Sequence, residues 1–192
     1  VFTSTDHGEE WKGINHGLIN TFVISMTMFG PHLIVSTADD AFFQSSDDGE
    51  SWTAISPGVA APYVLSYATS GPYVFASGGG YVYRGDSSLT SWQLQTPSSI
   101  LFSRTKAVVE WNSGLLAFTT YGLFRSTDFG EHWSGFTSDF PNVDISEIVA
   151  IGSTLYAGTY QQGVLRSTDD GSSWSPAGDM LKDWWIMRMV WA

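Results

Sequence analysis

The chain has 192 residues, of which 43% are hydrophobic and only 14% are charged, so it can bury a core and is too apolar for a disordered segment. Its 8 basic residues stand against 19 acidic ones, a formal net charge of −11 without a basic cluster, so we expect neither nucleic-acid binding nor an anionic-membrane surface. Cysteine is absent, which excludes disulfides, zinc–thiolate sites and thiol nucleophiles. No apolar stretch approaches the roughly 18 residues of a membrane span, so we expect no membrane insertion.

In chain order, the predicted elements are short strands separated by turn residues. Aromatic residues are frequent (9 Trp, 8 Tyr and 12 Phe), and 20 glycines mark the turns, a composition typical of an all-β array. The chain begins in a strand at 1–3 and ends in one at 184–192. Between them, a unit of four strands is clearest at 21–29, 32–37, 41–45 and 52–55, and again at 143–151, 154–159, 163–166 and 174–176.

An eight-residue motif, Ser-x-Asp-x-Gly-x-x-Trp, recurs along the whole chain. Its tryptophans are spaced by 41, 40, 41 and 41 residues. The third copy is degenerate, because its aspartate is shifted to Asp86 and Leu89 replaces the glycine, so we expect a looser turn there. The copies lie at 4–11, 45–52, 85–92, 126–133 and 167–174.

The motif residues have a structural explanation. An aspartate at a turn accepts hydrogen bonds from the backbone of its own hairpin, and the glycine supplies a positive φ. The tryptophan is expected to pack between neighbouring units. We therefore assign structural roles to Asp6, Asp47, Asp128 and Asp169, and to Trp11, Trp52, Trp92, Trp133 and Trp174.

This motif resembles the Asp-box (BNR) repeat of sialidases, xyloglucanase-type glycoside hydrolases and sortilin-like receptors. The resemblance implies an all-β fold, a β-propeller of about five four-stranded blades, with the motif between the third and fourth strands. We expect a single domain at 1–192. Either the two ends share an incomplete blade, or the chain is part of a larger ring. In the family, the active site lies on the face opposite the motif.

On that opposite face we expect two kinds of connection, the links between repeats and the hairpins between second and third strands. The residues there are acidic and aromatic, which suits sugar stacking, hydroxyl hydrogen bonds or a hard cation. The ligand-binding candidates are Tyr121, Tyr160, Gln161, Trp184 and Trp185. The catalytic candidates, as paired carboxylates, are Asp40, Asp144, Asp179 and Asp183. The candidates for a divalent metal are His16, Asp144 and Asp183.

Sialidase activity is not expected, because sialidases bind substrate through an arginine triad. Of five arginines, Arg84, Arg125 and Arg166 occupy one repeat position just before the motif and are therefore read as structural. Only Arg104 and Arg188 remain for other roles.

The leading functional hypothesis is a non-enzymatic, secreted binding module, extracellular or periplasmic, with a glycan or protein ligand on the face opposite the motif. The first alternative is a hydrolase on the same face, either glycosidase-like or metal-assisted. The second is a fragment of a larger repeat protein. Unpaired strand edges also predict an oligomer formed through open blades.

Overall fold

The computed structural model describes residues 1–39, 42–55, 64–95, 105–119, 122–136, 145–178, 181, 184–187 and 189. Its regular elements are antiparallel strands grouped in five sheets, numbered here in chain order. Sheet 1 has two strands, β1 (Phe2–Thr3) and β2 (Lys12–Gly13), with Phe2 opposite Gly13. The other four sheets have four strands each.

Each four-stranded sheet is a meander in which consecutive strands pair. Sheet 2 contains β3 (Val23–Phe29), β4 (His32–Thr37), β5 (Phe42–Ser45) and β6 (Thr53–Ala54). Sheet 3 contains β7 (Val64–Ser70), β8 (Tyr73–Gly78), β9 (Tyr81–Gly85) and β10 (Trp92–Leu94). Sheet 4 contains β11 (Thr105–Trp111), β12 (Gly114–Thr119), β13 (Gly122–Ser126) and β14 (Ser134–Phe136). Sheet 5 contains β15 (Ile145–Ile151), β16 (Thr154–Thr159), β17 (Val164–Ser167) and β18 (Ser175–Pro176).

The repeat extends to the backbone irregularities of the first strands. Each first strand shifts register near its start, and such bulges bend a strand and increase its twist. The same device at the same position gives all four sheets the same shape. The shifts fall between Val23 and Ser25, Val64 and Ser66, Thr105 and Ala107, and Ile145 and Glu147.

Consecutive sheets pack face to face, so the inner sheets are buried on both faces. In β12, Leu115 and Ala117 pack against sheet 3, whereas Leu116 and Phe118 pack against sheet 5. All six residues of β12 are buried. This explains why the second strands are almost continuously apolar instead of alternating, because a strand covered on both sides has no solvent-facing positions.

The motif tryptophans fill the seams between sheets. Trp52 is 4% exposed and packs with Val35 and Phe43, on the side of sheet 2 that faces sheet 1. Trp92 stacks on Phe42 of the preceding sheet at 5.2 Å between ring centroids. Trp11, in contrast, is 63% exposed. The same motif position is therefore buried where a preceding sheet covers it and open in sheet 1.

The all-β class and the four-stranded repeating unit predicted from the sequence are confirmed. Among the residues described above, no helix has the length and apolar character of a membrane span.

Candidate functional site

The five sheets present two ends to solvent. We call the end that carries the motif turns, between third and fourth strands, the motif end. The hairpins between first and second strands lie at the same end, because the Asp170 carboxylate accepts hydrogen bonds from Trp111 Nε1 (2.9 Å) and Asn112 Nδ2 (2.7 Å). The described hairpins between second and third strands, at 79–80 and 160–163, lie at the opposite end.

At the motif end, each regular turn is held by a short hydrogen-bond network. In the second copy, the Ser45 hydroxyl donates to the Asp47 carboxylate (2.7 Å) and accepts from the Gly49 N–H (2.8 Å). Asp47 then accepts from the Ser51 N–H (2.9 Å) and hydroxyl (2.6 Å). The same serine–aspartate and serine–glycine bonds recur in the copies at 4–11, 126–133 and 167–174.

Two features of the second copy favour glycine at this motif position. Gly49 has φ +88°, a conformation that residues with a Cβ adopt at a cost. A Cβ there would also lie 2.4 Å from Ile14 Cδ1 of the neighbouring sheet. A side chain at this position would therefore strain the backbone and force the Ile14 side chain to shift.

The degenerate third copy folds differently from the looser turn we predicted. Asp86 accepts from the Ser88 N–H (2.9 Å) within a shorter turn. Leu89 takes a positive φ of 54° and is fully buried in the core between sheets 2 and 3. An apolar side chain thus anchors this turn, where the other copies use the serine hydroxyl.

The motif aspartates are acidified by the bonds that they accept. Hydrogen bonds from Ser45 and Ser51 lower the pKa of Asp47 to about 2. Hydrogen bonds from the backbone and side chain of His132 lower the pKa of Asp128 to about 2. Hydrogen bonds from Ser173 lower the pKa of Asp169 to about 2 as well. These carboxyls are therefore ionised at any ordinary pH, and their oxygens are committed to the turn.

A pH dependence of stability follows. A pKa depressed on folding stabilises the folded state above the unfolded value of about 4 and loses that effect as the pH falls through the folded value. We expect the melting temperature to fall between pH 4 and pH 2, and to fall less in the double variant Asp47→Asn/Asp169→Asn. Asp48→Asn/Glu110→Gln, which removes two exposed carboxylates, is the control and should keep the full dependence. Equal profiles for the two variants in thermal melts would refute this account.

The motif serine has a measurable role of its own. Ser45 is buried, and its removal leaves the Gly49 N–H without its acceptor. We expect Ser45→Ala to lower the free energy of unfolding by about 1–3 kcal/mol. The neighbouring Ser46 is exposed, so Ser46→Ala should change it by less than about 0.5 kcal/mol. Urea denaturation measures both, and a similar change in the two would argue against the turn network.

At the opposite end, the structure describes an exposed group of aromatic side chains. Tyr160 follows β16 and is 40% exposed, whereas Trp184 and Trp185 are 66% and 72% exposed. We call these three residues the aromatic surface. Exposed rings at this density are uncommon on a soluble protein unless they bind something.

Backbone contacts bring the two parts of the aromatic surface together. The Ile186 N–H donates to the Thr159 carbonyl at 2.9 Å, which places the segment at 184–187 beside the hairpin that carries Tyr160. Gly158 permits this approach, because a Cβ there would lie 2.8 Å from Ile186 Cγ2. The hairpin itself is fixed by Thr159, whose hydroxyl donates to the Gly163 carbonyl (2.9 Å) and accepts from the Gln162 N–H (2.8 Å).

The other sequence-based candidates are distributed differently. Gln161 is exposed in the same hairpin as Tyr160, at the edge of the aromatic surface. His16 is exposed, and its carbonyl accepts the Trp52 N–H at 2.8 Å. Within the described part of the chain, no group of three His, Cys, Asp or Glu side chains could hold a metal ion. Tyr121, Asp40, Asp144, Asp179 and Asp183 lie outside the described residues.

Two features at or near this end were not predicted. Phe22 is 67% exposed and directly precedes β3, as Trp185 precedes Ile186, so the repeat register could have identified it. A groove of about 300 Å³ also runs along the first strands of sheets 3, 4 and 5, and its mostly apolar lining includes the polar residues Ser66, Thr69 and Glu110. It needs three sheets to form, so no local sequence signal marks it.

Comparisons with known proteins agree on the architecture. No protein-family model and no curated protein matches the sequence. Among solved structures, an ancestral GH74 enzyme superposes with a TM-score of 0.76 at 18% sequence identity. The superposition covers 96% of this chain and 29% of the GH74 chain. YCF48 bound to a D1 peptide superposes with a TM-score of 0.68 at 16% sequence identity, and the superposition covers 91% of this chain and 59% of the YCF48 chain. The extracellular domain of BT4673 from B. thetaiotaomicron gives a TM-score of 0.65 at 15% identity, covering 89% and 31%.

The chain has a β-propeller fold. The sheets described above are its blades, as the sequence predicted. The propeller chain spans less than two thirds of the length of these structural neighbours. At such low identity the likeness shows the fold alone, so the function must be argued from the residues of this propeller.

Proposed function

We propose that this propeller is a non-enzymatic binding module of the Asp-box repeat class, which takes a glycan or protein ligand on the aromatic surface. The observation that carries the proposal is the grouping of Tyr160, Trp184 and Trp185 at the end opposite the motif. None of these three side chains belongs to the buried clusters that hold the blades together. Rings of this kind stack on sugar faces and anchor peptide side chains, and they lose little conformational freedom on binding.

The charge and pKa pattern supports binding over catalysis. The carboxyl groups with clearly lowered pKa values belong to the motif turns, at the other end of the propeller. They are ionised, so they cannot serve as a general acid, and their oxygens already accept hydrogen bonds within the motif turns. The alternative, a hydrolase using Asp40, Asp144, Asp179 or Asp183, depends on residues outside the described ones and remains a prediction.

The structural neighbours are compatible with both the ligand class and the location. YCF48 is bound to a peptide in its structure, and the BT4673 propeller is an extracellular domain. We therefore propose a secreted location, extracellular or periplasmic.

Binding to immobilised glycans and peptides tests the proposal. The protein is applied to a glycan array and a peptide array, and the affinity of the best hit is measured by titration calorimetry. The double variant Trp184→Ala/Trp185→Ala should weaken that affinity at least about tenfold, because each stacked ring contributes about 0.5–1.5 kcal/mol beyond its buried area. The matched control is Leu94→Ala, which truncates a similarly exposed apolar residue on the outer strand β10 and should leave affinity unchanged.

Two results would contradict the proposal. One is an affinity that survives the double tryptophan substitution while the variant remains folded by circular dichroism. The other is turnover of chromogenic glycosides or esters by the wild-type protein, which would favour the hydrolase. Loss of that turnover in EDTA would further indicate a metal-assisted reaction.

A further inference from the structure

The first strands of sheets 3, 4 and 5 each have one free edge. Within the part of the chain that the structure describes, β7, β11 and β15 each form a ladder with the second strand of their own sheet and with no other strand. The Ser66 hydroxyl donates to the Val108 carbonyl at 3.3 Å, which brings β7 beside β11. Sheets 3 and 4 pack between other described sheets, so these edges belong to the interior of the array. Backbone N–H and C=O groups along such an edge can pair with an added extended segment.

The groove along the first strands follows these edges. It has a volume of about 300 Å³ and is lined by residues 66–69 of β7, 108–110 of β11 and 147–150 of β15. Most of the lining is aliphatic. Its one aromatic residue among those described is Tyr67, whose ring contacts Phe42 of sheet 2 at 6.4 Å between centroids. The groove therefore suits an extended main chain with aliphatic side chains better than a sugar ring, which stacks on an exposed aromatic face.

The charge of the groove has one sign. Among its described lining residues, the charged ones are Glu110 and Glu147. Glu110 is exposed, and its carboxylate forms no ion pair or hydrogen bond with another described side chain. It lies opposite Leu115, which packs against sheet 3, so Glu110 is on the side of β11 that faces β7. A free carboxylate at this position complements one ammonium or guanidinium group.

We propose that this groove binds an extended peptide segment of a partner protein, which adds a strand along the free edge of β11 and places a lysine or arginine side chain against Glu110. Main-chain hydrogen bonds supply the affinity, and the carboxylate selects the basic residue. Side chains on either side of that residue lie against the aliphatic walls. The site is separate from the aromatic surface, and its ligand is independent of the one proposed there.

Fluorescence anisotropy with two labelled peptides tests the proposal. The probe is a short fluorescein-labelled peptide in which valine and threonine alternate around a central lysine, and the comparison peptide has glutamate at the centre. We expect a dissociation constant of ~100 µM or below for the lysine peptide. The glutamate peptide should bind at least about tenfold more weakly, because like charges then meet at Glu110.

A charge reversal in the protein should reverse this preference. Glu110→Lys is expected to bind the glutamate peptide better than the lysine peptide. The matched control is Glu10→Lys, which makes the same charge change at an exposed position in the motif turn of sheet 1, outside the groove. The control should keep the preference for lysine, and circular dichroism checks that both variants are folded.

Two further measurements locate the peptide. Bound lysine peptide should protect amides at 66–69 and 108–110 from hydrogen exchange, because the added strand pairs with this part of the sheet edges. The double variant Trp184→Ala/Trp185→Ala should bind it unchanged, so loss of the ligand at the aromatic surface and loss of the peptide in the groove are distinguishable.

Four results would overturn the proposal. The first is an absence of lysine-peptide binding at ~1 mM protein. The second is equal affinity for the lysine and glutamate peptides. The third is loss of the lysine peptide in the double tryptophan variant, which would place it on the aromatic surface. The fourth is displacement of the peptide by an equal concentration of spermidine, because a polyamine has no peptide main chain and would show that positive charge alone is bound.

Discussion

Replacing Trp52 by alanine is expected to lower the free energy of unfolding by about 3–5 kcal/mol, because the substitution leaves a cavity in the seam between sheets 1 and 2. Trp52 is 4% exposed, and its indole N–H donates to the Ile14 carbonyl of the neighbouring sheet. The variant therefore also leaves that carbonyl without its side-chain donor. Urea unfolding followed by circular dichroism measures the change.

Trp11→Ala provides a control at the same motif position. Trp11 is 63% exposed, and its indole N–H donates to the Gly8 carbonyl of its own turn. The substitution should change the free energy of unfolding by less than about 1 kcal/mol. If Trp11→Ala and Trp52→Ala lowered the free energy of unfolding equally, the motif tryptophan would stabilise its own turn and not the seam. That result would contradict the packing of Trp52 between sheets 1 and 2.

A second large effect is expected at Gly17. This residue has φ +94°, and a Cβ there would lie 2.1 Å from the Trp52 carbonyl oxygen, a backbone atom that cannot move aside without disturbing the seam. Gly17→Ala combines an unfavourable backbone conformation with a steric clash, so we expect a loss of at least about 3 kcal/mol in unfolding free energy.

Gly30 is the matched glycine for that test. It too has a positive φ, +56°, but no atom lies within 4 Å of the position that a Cβ would take. Gly30→Ala should therefore lower the free energy of unfolding by about 1 kcal/mol, the effect of the unfavourable backbone conformation alone. Thermal unfolding of the two variants gives the difference, and a Gly17→Ala protein as stable as Gly30→Ala would show that the link between sheets 1 and 2 is looser than described.

The fold was predictable because the information is local and repeated. Each strand, turn and motif appears several times, so errors at one copy are corrected by the others. The exception was Leu89, which the pattern marked as a defect and which the structure buries fully. A pattern of turn residues shows what a turn lacks, but it does not show whether an apolar substitute can reach the core.

The sequence predicted which residues belong to the repeated motif, but it did not predict whether each of them is buried or exposed. Trp11 and Trp52 match the same motif, and only the neighbouring blade makes one buried and the other exposed. The aromatic surface shows the same limit. Tyr160 and Trp184 were both candidates, but their proximity depends on the hydrogen bond between Ile186 and Thr159, which are distant in the sequence. Such long-range pairing leaves no local sequence signal.

The most direct test of the account is to locate the bound ligand by hydrogen exchange. With the best ligand from the arrays present at saturation, we expect amide protection at 160–163 and 184–187, beside the aromatic surface, and unchanged exchange in the motif turns at 45–52 and 126–133. Protection confined to the motif turns, with none beside Tyr160 and Trp184, would contradict the account, because it would place binding at the end of the propeller to which we assign a structural role.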